Sequence, residues 1–172
     1  ITLTVTVTPG SNLGAYNNTA VANGTSPANQ SVTDNSQDGT NVDPDNNDDP
    51  TDNDQPTSIT FTENPNIGIS KALTNGPINK GNQTYDLEFT MILQNTGDVP
   101  LSNVQVIDDL ALTFATAESF TINSVVTSAN LTVNPLYNGT TNVQLLSGND
   151  GLAYNETGTI TLSVNLRPGI NI

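Results

Sequence analysis

The sequence predicts an all-β fold, specifically an immunoglobulin-like antiparallel β-sandwich. Apolar and polar residues alternate with a period of two in several segments, as they do in strands that bury one face. Gly, Pro, Asn and Asp separate these segments about every ten residues, a spacing typical of antiparallel sandwiches. No segment has convincing helical periodicity, and residues 110–117 form only a short helix candidate.

The segment with the strongest alternation should be the strand that lines the core. Its apolar positions are Tyr85, Leu87, Phe89, Met91 and Leu93. Residues 95–98 follow as a hairpin-type turn, and residues 101–107 form the return strand. Shorter strands are predicted at 17–22, 31–33, 58–62, 67–73, 120–126, 131–133 and 143–146, with a turn at 75–77 and a loop at 148–158.

One strand is duplicated in the chain. Residues 1–10 read ITLTVTVTPG and residues 160–169 read ITLSVNLRPG, an offset of 159 residues (160 minus 1). Both copies alternate strictly and end in a Pro-Gly turn. The apolar side chains of the first copy are Ile1, Leu3, Val5 and Val7. Because the rest of the chain occurs once, the sequence has the form of one full period of a tandem repeat of whole domains.

This repeat predicts a domain organisation in which the chain is cut inside a domain. Residues 1–40 are expected to complete the β-sandwich of a neighbouring unit, and residues 66–172 form the main sandwich. Residues 41–65 are an Asp- and Pro-rich linker, in which Pro44, Pro50 and Pro56 forbid regular strand pairing before the short strand predicted at 58–62. Since the first residue lies inside a strand pattern, we expect the chain to be a mature or excised segment.

The charge and composition exclude several classes of function. The formal net charge is −14, and the basic residues are Lys71, Lys80 and Arg167. Nucleic acid is therefore not an expected partner, since phosphate contacts require Lys and Arg. No apolar run approaches the ~20 residues of a membrane span. The chain contains neither His nor Cys, so no enzymatic activity is expected. An acidic, Thr- and Asn-rich composition fits an extracellular or cell-surface β-protein.

The best candidate for a chemical site is an aspartate-rich loop that would bind Ca²⁺. Its oxygen-bearing side chains stand at relative positions 1, 3, 5, 7, 9 and 12, the spacing of a calcium loop: Asp43, Asp45, Asn47, Asp49, Thr51 and Asp54. Asp52 adds a further carboxylate. The loop departs from the motif because Asp48 occupies the usual Gly position and no helices flank it. The alternative is a hydrated acidic linker that its own charge keeps extended.

Attached glycans are a second candidate feature of the surface. The asparagines that precede x-Ser/Thr are Asn17, Asn23, Asn29, Asn82, Asn130, Asn138 and Asn155. Because the chain is so rich in Asn, Ser and Thr, chance alone predicts nearly as many. O-linked sugar on the threonine faces is an equal alternative.

The order of motifs from residue 66 onward resembles a known repeat family. The motifs are Lys71 after an apolar strand, Tyr85 opening the next strand, the turn at 95–98, then Val104, Val106, Asp108 and Leu110. The pattern resumes at 158–162 and continues through 18–21 and 34–39. In permuted order, these motifs resemble the conserved-repeat domain of unknown function eleven of bacterial and archaeal surface proteins. The resemblance implies an immunoglobulin-like sandwich, tandem repetition on large secreted proteins, and no catalytic residues.

Two functions agree with these features. The first is structural: a subunit of an extracellular filament or stalk, joined head to tail to copies of itself by strand complementation. The second is a cell-surface adhesin that binds a glycan or another cell. The best candidates for such binding are Tyr137 and Tyr154, because both are aromatic residues in loop-like segments.

The duplicated strand distinguishes two ways of joining units. If residues 1–40 folded back onto residues 66–172 of the same chain, residues 1–8 and 160–167 would compete for one position. One copy would then keep an exposed apolar face, which natural proteins avoid. Strand addition to a neighbouring unit removes this conflict, and calcium in the 43–54 loop would stiffen the joint. A self-contained or covalently tandem arrangement is the alternative.

Overall fold

The computed structural model describes residues 1–169, which divide into two compact units. The first unit is Ile1–Thr62, and the second begins at Glu63. Almost all regular structure is β-strand in antiparallel sheets, so the prediction of an all-β fold is confirmed.

The first unit contains two short antiparallel ladders. Strands β1 (Tyr16–Asn18) and β4 (Thr57–Ile59) form one pair, and β2 (Val21–Thr25) and β3 (Ser31–Asn35) form the other. A single 3-10 turn spans Pro50–Asp52. Asp49 caps this turn, and Pro50 occupies a position where its missing N–H costs nothing.

The second unit contains one large sheet and a second layer of shorter pieces. The strands in chain order are β5 (Ile67–Asn79), β6 (Tyr85–Asn95), β7 (Leu101–Val104), β8 (Ser119–Thr127), β9 (Asp150–Leu152) and β10 (Thr157–Arg167). The large sheet has the order β5-β6-β10-β8, with every neighbour antiparallel. Of the helix candidate at 110–117, only one turn is helical: α1 (Leu110–Thr113).

Alternation along β6 and β10 places one face of the large sheet in the core. Met91 lies opposite Ile160 and Phe89 opposite Leu162, so apolar side chains share one face across the ladder. Ile160, Leu162 and Val164 are 0% exposed. The prediction that the alternating segment at 85–93 lines a core is confirmed, because Leu87, Met91 and Leu93 are buried.

A second layer covers this face. In it β7 pairs with β9, and single bridges join Ile107 to Gln144 and Val133 to Leu146. The buried residues that it contributes to the core are Val104, Val106, Leu131, Tyr137, Leu145, Leu146 and Leu152. The segments predicted as short strands at 131–133 and 143–146 are thus present as bridges within the second layer.

Two local predictions differ from the structure. Strand β5 continues to Asn79 through the turn expected at 75–77, with register shifts against β6 at Leu73/Asn75 and Asn75/Ile78. The irregular register absorbs Gly76 and Pro77 without ending the strand. The loop expected at 148–158 contains β9, because pairing with β7 overrides its turn-rich composition.

The turn after β6 is held by one buried asparagine. Asn95 is 0% exposed, and its Nδ2 donates to the carbonyls of Val99, Leu152 and Ala153 at 2.8, 3.1 and 3.0 Å. Its Oδ1 accepts the Gly97 N–H at 3.0 Å. A Cβ at Gly97 would lie 2.5 Å from the Asn66 nitrogen, so the turn requires glycine there. Asn95 therefore ties the end of β6 to the end of β9.

We expect Asn95→Ala to lower the free energy of unfolding by about 2–4 kcal/mol, because it leaves buried carbonyls without a donor. Asn95→Asp should cost at least as much, since a carboxylate would face three carbonyl oxygens. The control is Gln94→Ala at the exposed neighbouring position, which should change little. Urea unfolding of the three variants measures the effect. Equal losses for Asn95→Ala and Gln94→Ala would contradict the role given to Asn95.

Candidate functional site

Within residues 1–169, the first copy of the duplicated strand pairs with no other strand. Residues 1–9 belong to no ladder, and Ile1, Leu3, Val5 and Val7 are exposed, Leu3 by 80% and Val7 by 47%. Of the matching residues of β10, Ile160, Leu162 and Val164 are fully buried between β6 and β8, and Leu166 is half-buried. Two nearly identical apolar faces therefore have opposite environments. Apolar strand faces of this kind are normally covered in a folded protein.

The first unit has no buried residue at all among residues 1–62. Its exposed apolar side chains also include Val21, Val32, Val42 and Ile59. The packing that exists is local: the Tyr16 and Phe61 rings meet edge-on at 5.8 Å, and the Tyr16 hydroxyl donates to the Asn12 carbonyl at 2.6 Å. A unit this small without a core gains little from hydrophobic burial and has little to offset its conformational entropy.

The second unit has an uncovered apolar strip of its own, on β5. Ile69 pairs with the buried Leu93 and Leu73 with Phe89, so both side chains lie on the core face of the large sheet. Ile67, Ile69 and Leu73 are nevertheless 47, 59 and 46% exposed. We call these three residues the β5 strip. The sequence predicted the strand but not the exposure of this strip, which depends on how far the second layer reaches.

Lys71 lies in the middle of the β5 strip and makes an ion pair with the second layer. Its Nζ lies 2.7 Å from Asp108 Oδ2 and 4.9 Å from the centroid of the Phe89 ring. The Asp108 side chain is only 11% exposed, so the pair is partly desolvated. Between residues 64 and 85 the chain has no acidic residue, and its basic residues are Lys71 and Lys80.

The residues predicted to bind calcium lie close together in the first unit. Asn47 Nδ2 donates to Asp45 Oδ2 at 3.1 Å and to Asp52 Oδ2 at 3.0 Å, so these carboxylates converge on one amide. Asp43 accepts the Asn47 and Asp48 N–H groups at 3.3 and 3.0 Å. Asp49 Oδ1 accepts the Thr51 hydroxyl at 2.6 Å. No hydrogen bond of Asp54 joins it to this cluster in the described part of the chain.

Hydrogen bonds also decide the ionisation of Asp43. Desolvation opposes its charged form, but a hydrogen bond with Asp45 and bonds from the backbone N–H groups of 46–48 outweigh it and lower the pKa. Within residues 1–169, no three carboxylates gather closely enough to hold a metal ion. The calcium site stays a prediction.

The glycosylation candidates differ in how accessible their amide nitrogens are. Asn17, Asn23, Asn29, Asn82, Asn138 and Asn155 are exposed. Asn130 is half-buried, and its Nδ2 donates to Glu156 Oε1 at 2.9 Å. The Asn138 Nδ2 also donates, to Thr141 Oγ1 at 2.9 Å, but Asn138 is exposed. Asn130 combines partial burial with such a bond, so it is the poorest acceptor of the seven.

The two tyrosines proposed for an adhesin have different environments. Tyr137 is 9% exposed and belongs to the core, where its hydroxyl donates to the Asp108 carbonyl at 3.2 Å. Burial, together with the charges of Asp108 and Asp109, raises its pKa. Tyr154 is 64% exposed.

An open cleft of about 540 Å³ lies beside α1. It is lined mainly by apolar groups such as Phe114 and Phe120.

Comparisons with protein-family models, with curated proteins and with solved structures find no match to this chain. In the part of the chain that the structure describes, no helix combines the length and the apolar character that a membrane crossing requires.

We expect Lys71→Gln to lower the free energy of unfolding by about 1–3 kcal/mol, because it leaves the partly buried Asp108 carboxylate without its cation. The matched control is Lys80→Gln. Lys80 pairs with Asp86 at 3.0 Å, but its carboxylate partner is 30% exposed where Asp108 is 11% exposed, so the loss should be smaller. Thermal and urea unfolding of both variants at low and high salt provide the measurement. Equal losses that vanish together in salt would show that Lys71 is an ordinary surface cation.

Proposed function

We propose that this protein is a structural unit of an extracellular filament or stalk, built from immunoglobulin-like β-sandwiches joined head to tail. The N-terminal strands of one unit complete the sandwich of the next. The observation that carries this proposal is the unpaired first copy of the duplicated strand, whose apolar side chains are exposed while Ile160, Leu162 and Val164 of β10 are fully buried. Strand addition supplies backbone hydrogen bonds for affinity and alternate apolar side chains for register.

The missing core of the first unit supports the same assignment. A segment that buries none of its residues is stable only if something else covers it, and a neighbouring unit offers such a surface. The contact is heterologous, since it joins the N-terminal segment of one copy to a different surface of another. Contacts of this type produce open filaments unless the rotation between units closes a ring.

The distribution of charge also favours this way of joining. Copies that each carry a net charge of −14 repel one another. Residues 1–33 contain no charged side chain, and residues 64–85, which include β5, contain Lys71 and Lys80 but no acidic residue. The two segments that must approach are therefore the parts of the chain where repulsion between copies is weakest.

Calcium in the aspartate-rich loop is part of the proposal as a means of stiffening the joint. Asp45 and Asp52 already face one another across the Asn47 amide, and hard carboxylate and amide oxygens suit Ca²⁺. A cation would relieve the mutual repulsion of the eight aspartates between 34 and 54. The other interpretation is a hydrated acidic spacer.

The proposed role requires no catalysis, in agreement with a chain that contains no His or Cys. Glycans on the exposed asparagines would be compatible with an extracellular filament. The adhesin alternative retains Tyr154 as an exposed aromatic, but Tyr137 is occupied in the core. We therefore rank it below the structural role.

Val5→Asp should abolish self-association, because it places a charge on the apolar face that must be buried against the neighbour. Burial of a valine side chain contributes about 1.5–3 kcal/mol, and an unpaired carboxylate adds a further cost. Thr4→Asp is the matched control, since it adds the same charge to the opposite face of the same segment. Sedimentation velocity over a range of protein concentrations measures association. If the unsubstituted chain stays monomeric at all concentrations, the proposed function is wrong.

Calorimetric titration of Ca²⁺ into chelator-treated protein should give saturable binding. Asp45→Ala should weaken it at least tenfold, because it removes one of two carboxylates that converge on Asn47. Asp38→Ala removes the same charge outside the 43–54 loop and should leave the affinity nearly unchanged. A flat titration of the unsubstituted chain would leave the acidic spacer as the explanation.

A further inference from the structure

The second layer of the second unit covers the large sheet unequally. We infer that the space beside β7, above the β5 strip, is the acceptor site for residues 1–8 of a second copy. This inference rests on the proposed function and assigns the surface on which the neighbouring strand binds.

The second layer has three segments in a fixed order. β7 pairs with β9, and Ile107, three residues after the end of β7, bridges to Gln144. Among the described residues, both pairings lie on the same edge of the segment 101–107. The chain from 144 to 152 bridges on its other side to Val133. The order is therefore 101–107, then 144–152, then 133. Because β7 has β9 as its single ladder partner among the described residues, its other edge presents free backbone N–H and C=O groups.

The Lys71–Asp108 pair shows which way the free edge of β7 faces. Lys71 lies opposite the buried Met91, so its side chain leaves β5 on the core face of the large sheet. From there it reaches Asp108, one residue beyond Ile107, at 2.7 Å. The segment 101–108 is thus the part of the second layer adjacent to β5. Its free edge borders the region above the β5 strip.

The β5 strip is the uncovered floor of this region. Ile67, Ile69 and Leu73 are half-exposed although they share a face with fully buried residues of β6. At the opposite edge of the sheet, the equivalent side chains Phe120 and Ile122 of β8 pack against the core. A four-stranded sheet is therefore covered by a second layer that lacks a strand above β5. One additional strand with an apolar face would close it.

Residues 1–8 of a second copy have the properties that this space requires. They alternate Ile, Leu, Val and Val with four threonines and carry no charged side chain. Eight residues in a strand extend about 27 Å, and the seven residues of 101–107 extend about 23 Å, so their lengths match. The side chains of Ile1, Leu3, Val5 and Val7 would pack on the β5 strip while the threonines face solvent. The position between β6 and β8 is already filled by β10 of the same chain.

Because the chain contains no Cys, single cysteines can test this assignment without side reactions. One preparation carries Thr4→Cys on the solvent face of the donor strand. A second, distinguished by a mass tag, carries Ser102→Cys on the exposed face of β7, and a third carries Thr121→Cys at the opposite edge of the sheet, on β8. Each acceptor is mixed with the donor, treated with a short bismaleimide and analysed by intact mass. We expect the Thr4–Ser102 adduct to exceed the Thr4–Thr121 adduct at least fivefold.

The other outcomes separate the acceptor assignment from the proposed function. A dominant Thr4–Thr121 adduct would place the donor at β8 or in an exchanged β10 position, which overturns the acceptor site but keeps the assembly. Association in sedimentation without either adduct would do the same. Concentration-independent cross-linking within a Thr4→Cys, Ser102→Cys double variant, with no adduct in the mixtures, would show that the occupant is the same chain. No adduct and no association would overturn both proposals.

Discussion

The second unit depends on the burial of β10 between β6 and β8. Ile160, Leu162 and Val164 are completely buried, and the strand has partners along both edges. This central strand fixes which face of the sheet is the core face, because a slip of one residue would turn its apolar side chains to solvent. Asn95 then ties the end of β6 to the end of β9 and holds the second layer in place. Where this layer stops, the β5 strip is left exposed.

The two copies of the strand show that an apolar alternation does not by itself choose a position. Residues 1–8 and β10 have almost the same pattern, but only one copy can occupy the centre of a sheet. The excluded copy leaves an apolar face without a cover, and the β5 strip is a second such face. Both belong to stretches that carry no acidic residue in a strongly acidic chain. In the proposed assembly, joining units through these two faces would bury both apolar surfaces and avoid most of the repulsion between copies.

The ion pair of Lys71 and Asp108 matters for how the two layers are joined as well as for stability. Its charges are partly desolvated, and the lysine also lies over the Phe89 ring. It connects β5 to the second layer at the point where that layer ends. The cation therefore stabilises an edge that lacks a covering strand. The aspartate-rich loop differs, since its carboxylates are held by amide and backbone N–H groups close in sequence.

The sequence by itself determined the all-β class, the core strand at 85–93 and the apolar face of β10, because a period of two is a local signal. It also determined the charge balance and the aspartate-rich loop. Tertiary structure decided that β5 runs through the turn expected at Asn75, that Tyr137 is a core residue, and that β9 forms within a predicted loop. It alone decided which apolar faces are covered. Coverage depends on contacts between segments distant in sequence, such as β7 with β9, and no local pattern records how far a second layer extends.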